Sequence, residues 1–169
     1  MAVIVKSFDD SYIFSDSFYN KHAHPPTRVS RLTLSAHGVE GAVLIDGKRM
    51  NALDLWDLCH RLVAIDAFDY IRIGSCHSAR GGSASLACRL SKIFERGYVK
   101  GYMRSVWTLG QPDQISFAIK QYGMDSASMM LNSAMLKEPF IQKNDDEFHS
   151  MLFRRGVMIK EKIFSPYGR

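Results

Sequence analysis

The sequence has few cysteines and no long apolar run. Its 169 residues include only three cysteines, Cys59, Cys76 and Cys88, and no CxxC pair. An odd and widely spaced set argues against both a disulfide framework and a structural zinc site. No stretch approaches the roughly 18 to 20 apolar residues of a membrane-spanning helix. The sequence therefore predicts reduced thiols, no metal, and no membrane as a partner.

An export signal and a basic cluster are lacking too. The apolar start is interrupted at Lys6, which is too early for the core of a secretory signal. The formal net charge is +5, but Lys and Arg are scattered along the chain, and such scattering is typical of a solvated surface. We expect a cytoplasmic protein that binds no nucleic acid.

The order of elements predicts the fold. The length suits one domain, residues 1–169. A strand over residues 31–36 and a helix capped by Asn51 are followed by a strand over 70–73, a helix over 83–96 and a strand over 98–107. This alternation is typical of a mostly parallel sheet in an α/β protein, with helices on both faces.

Other segments give weaker patterns. Residues 2–5 can form a first strand, and 9–26 have no clear period and are expected to be irregular. Residues 112–122 and 125–136 are expected to be helices. Residues 148–153 and 157–163 flank Arg154-Arg-Gly156 and predict a C-terminal hairpin.

Two apolar strands end in polar residues beside small ones. His37 ends the first strand and precedes Gly38, and Cys76 ends the strand over 70–73 within a run of Gly, Ser and Ala. Ligands bind beyond the carboxyl ends of parallel strands, so we expect His37 and Cys76 to be neighbours at one edge of the sheet.

The residue types at these tips suit nucleophilic catalysis. A cysteine attacks as its thiolate, and an imidazole can accept the thiol proton and later protonate the leaving amine. The N-terminus of the helix expected near Ser83 would favour an anion. Peptide N–H groups of Gly38 and Cys76 can form an oxyanion hole.

Several other interpretations are open. A lone cysteine at a strand end is often a small buried side chain, as we expect for Cys59 and Cys88. Gly74-Ser-Cys-His-Ser78 is similar to the nucleophile elbow of an α/β-hydrolase-type thiol hydrolase, although a serine replaces the last glycine. A metal site from His22, His24 and His37 with Cys76 or His77, and a phosphate site at Gly81-Gly82-Ser83, have weaker patterns.

The motifs resemble those of clan CD cysteine peptidases, and most closely those of CHAT domains and the cysteine protease domains of bacterial toxins. The matching residues are Leu32-Thr-Leu-Ser-Ala-His37-Gly38 and Tyr70-Ile-Arg-Ile-Gly-Ser-Cys76. The resemblance covers roughly residues 31–107. It implies a caspase-like three-layer sandwich in which His37 is the base and Cys76 the nucleophile.

The same resemblance implies an activity and partners. The chain would be a cysteine endopeptidase without a cofactor, which cleaves a protein or peptide substrate or itself. The resemblance also fits a bacterial effector or toxin component that is delivered to a host cytosol. Arg31 and Arg104 would bind an acidic side chain of the substrate. A non-catalytic caspase-like module for protein binding is the alternative from another functional class.

Overall fold

A seven-stranded mixed sheet forms the centre of the protein, whose computed structural model describes residues 1–20, 24–142 and 148–164. The strands in chain order are β1 (Val3–Ser7), β2 (Tyr12–Asn20), β3 (Thr27–Ser35), β4 (His37–Val39), β5 (Ala42–Ile45), β6 (Lys48–Met50), β7 (Tyr70–Gly74), β8 (Tyr98–Tyr102), β9 (Trp107–Thr108), β10 (Ile141–Gln142), β11 (Phe148–Arg154) and β12 (Val157–Phe164). The helices are α1 (Ala52–Leu62), α2 (Leu86–Ile93), α3 (Pro112–Tyr122) and α4 (Met124–Met135).

The large sheet has the strand order β1-β2-β3-β7-β8-β11-β12. Only the two central pairs, β3 with β7 and β7 with β8, are parallel. The pairs on both flanks are antiparallel. The sheet is therefore mostly antiparallel, and the prediction of a mostly parallel caspase-like sandwich is wrong.

Strand β2 makes two of the four antiparallel pairs of this sheet and was not predicted. The sequence predicts an irregular segment over residues 9–26, whereas Tyr12–Asn20 pairs antiparallel with both β1 and β3. Tyr12, Ile13 and Phe14 are all buried, since both faces of this part of the sheet are covered. A strand that is buried on both faces has no polar-apolar alternation to reveal it.

Helices cover both faces of the sheet and make two cores. On one face, α1 and α2 pack against alternate residues of the central strands, including Leu32, Ile71 and Ile73. On the other face, α3 and α4 pack against Tyr12 and Phe14. No helix among the described residues is long and apolar enough to cross a membrane.

A small sheet follows directly after β3. Strand β5 pairs antiparallel with both β4 and β6. The turn between β5 and β6 contains Asp46 and Gly47, which both have a positive φ. Asn51 then caps α1 by accepting a hydrogen bond from the Asp54 N–H. The cap predicted at Asn51 is confirmed.

Candidate functional site

The carboxyl ends of β3 and β7 lie side by side. These strands are parallel, and Ser35 is paired with Gly74. His37 and Cys76 each come two residues after this pair, so the shared register carries both of them to the same edge of the sheet.

Gly38 and Cys76 are in direct backbone contact. A Cβ atom added to Gly38 would lie 2.1 Å from the carbonyl oxygen of Cys76 and 2.9 Å from its nitrogen. No side chain fits in that space, which explains why a glycine follows His37. The two tips therefore meet at the level of the main chain.

The turn after Cys76 holds an unusual backbone conformation. His77 has a φ of 61°, a left-handed value that few residues other than glycine adopt. Its N–H donates to the carbonyl of Arg104 (3.2 Å), and its carbonyl accepts from the Arg80 N–H (3.1 Å). Strained residues of this kind concentrate at functional sites.

Ser78 fixes this turn to the neighbouring strand. Its hydroxyl is fully buried, donates to the carbonyl of Ile73 (3.2 Å) and accepts from the Tyr102 N–H (2.9 Å). The serine in place of the last glycine of an elbow thus joins β7 to β8. This bonding anchors the peptide that carries Cys76.

The sulfur of Cys76 faces the segment between β8 and β9. The N–H of Val106 donates to Cys76 Sγ at 3.4 Å, and the thiol lies 3.8 Å from the carbonyl oxygen of Val106. Cys76 is partly exposed. A donor aimed at sulfur binds a thiolate more strongly than a thiol, because charged acceptors make the stronger hydrogen bonds.

His37 is oriented by an acidic residue from α3. Its Nε2 atom lies 3.2 Å from Oδ1 and 3.3 Å from Oδ2 of Asp113, in the first turn of that helix. A carboxylate only accepts hydrogen bonds, so the neutral imidazole carries its proton on Nε2. Nδ1 is then the nitrogen that can accept a proton.

The other two cysteines are in unreactive surroundings. Burial raises the pKa of Cys59 to about 12, and it also raises the pKa of Cys88. The Cys88 thiol donates to the carbonyl of Gly156 (3.3 Å). A raised pKa leaves less thiolate at neutral pH, so both cysteines are poor nucleophiles.

Helix α2 does not supply the anion site that the sequence predicts. The helix begins at Leu86 instead of Ser83 and is capped by Ser85. Its first donors are already used, because the Ala87 N–H donates to Ser78 O (2.9 Å) and the Cys88 N–H to Ser85 Oγ (3.1 Å). These groups are therefore occupied within the protein.

The two candidate substrate-binding arginines lie in different places. Arg104 is exposed, and its carbonyl bonds the residue after Cys76, so it belongs to the site. Arg31 lies further back along β3, about 20 Å from His37 at about 3.3 Å per residue. There it forms a bidentate ion pair with Asp16, with distances of 2.9 and 2.7 Å.

The alternative sites gain no support from side-chain geometry. Within residues 1–20, 24–142 and 148–164, no group of three or more His, Cys, Asp or Glu residues can hold a metal ion. His22 of the predicted metal set lies outside the described residues. Gly82–Ala84 form one short 3₁₀ turn in place of the helix start expected there.

Sequence reasoning missed three residues of this site. Asp113 and the Val106 N–H are brought to His37 and Cys76 by the fold, and neither has a sequence motif around it. Trp107 is 58% exposed, and a large exposed aromatic beside Val106 is a candidate substrate contact. The Gln111-Pro-Asp113 helix start was the one available signal for Asp113.

No family model matches the chain, and neither does any curated protein or solved structure.

Proposed function

We propose that this protein is a cysteine endopeptidase in which His37 and Cys76 form a catalytic dyad. The observation that carries the proposal is the backbone contact between Gly38 and Cys76. It joins two strand ends that each present one of the reacting side chains. The bonds from Val106 to sulfur and from Asp113 to imidazole support the same assignment.

The proposed reaction starts with proton transfer. Nδ1 of His37 takes the proton of the Cys76 thiol, and the sulfur attacks the carbonyl carbon of the scissile peptide. The negative oxygen that forms is bound by peptide N–H groups, for which Gly38 and Cys76 are the candidates. The imidazolium returns the proton to the leaving amine as the C–N bond breaks. Water activated by His37 then hydrolyses the thioester.

A peptide or protein is the proposed substrate. Exposed Arg104 and Trp107 lie on the segment that faces Cys76 and offer one cationic and one aromatic contact. Arg104 would favour an acidic substrate side chain, since a guanidinium binds carboxylates well. Arg31, already paired with Asp16, is not part of this proposal.

A reducing compartment is the proposed location, either the cytoplasm or a host cytosol reached by delivery. All three cysteines are free, and a nucleophilic thiol needs to stay reduced.

The test of this function is cleavage of an unbiased peptide library. The intact protein should cleave a subset of peptides at a consistent position. Iodoacetamide should stop cleavage while it modifies Cys76, as located by mass spectrometry. The matched control is a Cys59→Ala, Cys88→Ala double variant, which should cleave and be inhibited in the same way. Failure to cleave any peptide, or full activity after complete modification of Cys76, would contradict the proposal.

Asp113→Asn is expected to lower kcat about tenfold with little change in KM. The amide can present its NH₂ group to Nε2, which favours the wrong tautomer and leaves Nδ1 protonated. The side chains are 51% exposed for His37 and 66% for Asp113, so stability should change by less than about 0.5 kcal/mol. Steady-state kinetics and thermal unfolding separate the two effects.

Asp113→Glu is the matched control, because it keeps the carboxylate and should recover part of kcat. A loss of kcat in Asp113→Asn that follows a loss of folded protein would instead indicate a structural role.

A further inference from the structure

A cavity lies on the main sheet, away from His37 and Cys76. Its volume is about 260 Å³, and it spans the sheet from Phe18 of β2 to Lys160 of β12. Arg31 lines it, so the cavity begins about 20 Å from His37, at about 3.3 Å per residue along β3. The proposed peptidase chemistry does not use it.

The charged residues that line this cavity, called the basic cavity below, are all cations. Arg31, Arg72, Lys100 and Lys160 line it, and no Asp or Glu is found among its described lining residues. The nearby Asp16 is already bound to Arg31 through two hydrogen bonds. The electrostatic potential within the cavity is therefore positive.

Two of these cations are direct neighbours in the sheet. Arg72 of β7 and Lys100 of β8 are paired residues of adjacent parallel strands. Like charges in neighbouring positions destabilise a sheet, and the cost rises when the charges are shielded from water. Lys100 also has an interaction partner within the protein, and an anion beside both residues would add a favourable contact to each.

Arg72 gives the strongest evidence for a bound anion. Its side chain is buried, its Nε donates to Thr33 Oγ1 (3.1 Å), and its guanidinium lies 4.8 Å from the ring centre of Phe140. Its Nη2 has no hydrogen-bond partner among the described residues. Burial and the charge of Arg31 lower the pKa of Arg72 to about 10, so the residue remains a cation at neutral pH. Within the described part of the chain no carboxylate bonds this guanidinium, although the charge of Asp16 acts on it, and a buried cation with an unbonded donor favours a bound counter-ion.

The cavity also has an apolar side. Phe18, Tyr70 and Leu152 line it, and the rings of Phe18 and Tyr70 meet edge to face at 5.3 Å. Tyr70 is held in place by stacking on Tyr98, with ring centres 5.0 Å apart. Fixed aromatic rings next to cations can bind a ligand that has both a planar ring and a charged group.

We propose that the basic cavity binds a small phosphate ester that carries an aromatic ring, of the size of a nucleoside monophosphate. The phosphate lies beside Arg72 and Lys100, and the ring lies against Phe18 and Tyr70. A volume slightly below the range of about 300 to 1,000 Å³ for ligand pockets limits the ligand to this size.

The test is calorimetric titration of the intact protein with AMP, GMP, CMP and UMP, and with adenosine and ribose 5-phosphate. At least one nucleotide should bind and raise the unfolding temperature. Adenosine and ribose 5-phosphate should bind at least about tenfold more weakly, because each lacks one part of the ligand. Binding should weaken as salt rises from about 0.05 to 0.5 M.

Variants locate the site. Lys100→Gln and Arg72→Met should each weaken nucleotide binding by at least about tenfold. Arg72→Met is expected to fold, because a buried ion can often be replaced by an apolar side chain of similar volume. Lys48→Gln removes the same charge from the small sheet and should bind as the original protein does.

Three outcomes would overturn the proposal. One is that no nucleotide binds, and another is that ribose 5-phosphate or adenosine binds as tightly as the best nucleotide. The third is that binding survives unchanged in folded Lys100→Gln. Each readout is a binding measurement and needs no peptidase activity, so it is independent of the function proposed for His37 and Cys76.

Discussion

Replacing Cys76 by alanine is expected to lower kcat/KM by about 10⁴-fold or more, because the proposed mechanism needs its sulfur to form the covalent intermediate. His37→Ala should lower it by about 10² to 10⁴-fold, the usual contribution of a general acid and base. Both side chains are at least partly exposed, so both variants should fold normally. The measurements are steady-state cleavage of the best library peptide and thermal unfolding.

The double variant, with both residues replaced by alanine, distinguishes a dyad from two independent residues. If His37 acts only through Cys76, removal of both should cost no more than removal of Cys76 alone. His60→Ala is the matched histidine control, since His60 is exposed and lies in the last turn of α1. Multiplicative losses in the double variant, or an effect of His60→Ala equal to that of His37→Ala, would contradict the assignment.

The second large effect is expected from Gly38→Ala. The added Cβ would lie 2.1 Å from the Cys76 carbonyl oxygen, whereas real Cβ atoms essentially never lie within 3.0 Å of another atom. The two strand ends must therefore separate by about 1 Å, and a shift of that size can cost about 10²-fold in rate. Stability should fall by about 1 to 3 kcal/mol, as measured by chemical unfolding.

Gly82→Asn is the matched control for this substitution. Gly82 lies in the loop that follows Cys76 and has a φ of 60°, with no atom within 4 Å of an added Cβ. Asparagine adopts such backbone angles more readily than most residues, so stability should change by less than about 1 kcal/mol. If Gly38→Ala were as mild as this control, the close contact between the two strand ends would not exist.

The central part of the fold was predictable because its signals are local. Asn51 caps α1, Pro112 starts α3, and β7 ends in a run of small residues, and each signal needs only a few neighbouring positions. Strand β2 could not be identified in this way. Its mixture of aromatic and polar residues makes sense only once helices cover both faces of the sheet.

The same distinction applies to the candidate site. His37 and Cys76 follow from the parallel register of β3 and β7, which the sequence pattern implies. Asp113 reaches His37 only because α3 packs on the face of the sheet opposite to α1 and α2. No spacing rule in the sequence predicts that contact. Arg31 has the charge that was expected of a substrate-binding residue, but its position in the middle of β3 places it far from His37.

The hydrogen bond from Val106 to Cys76 has a consequence for how the proposed dyad could be controlled. Val106 and Asp113 belong to one short stretch of chain, and through them this stretch contacts both the sulfur and the imidazole. The sheet determines how far apart the two strand ends lie, whereas this stretch determines the orientation and hydrogen bonding of the reacting groups. A partner that displaced residues 106–113 would change the reactivity of both groups at once while leaving the sheet intact.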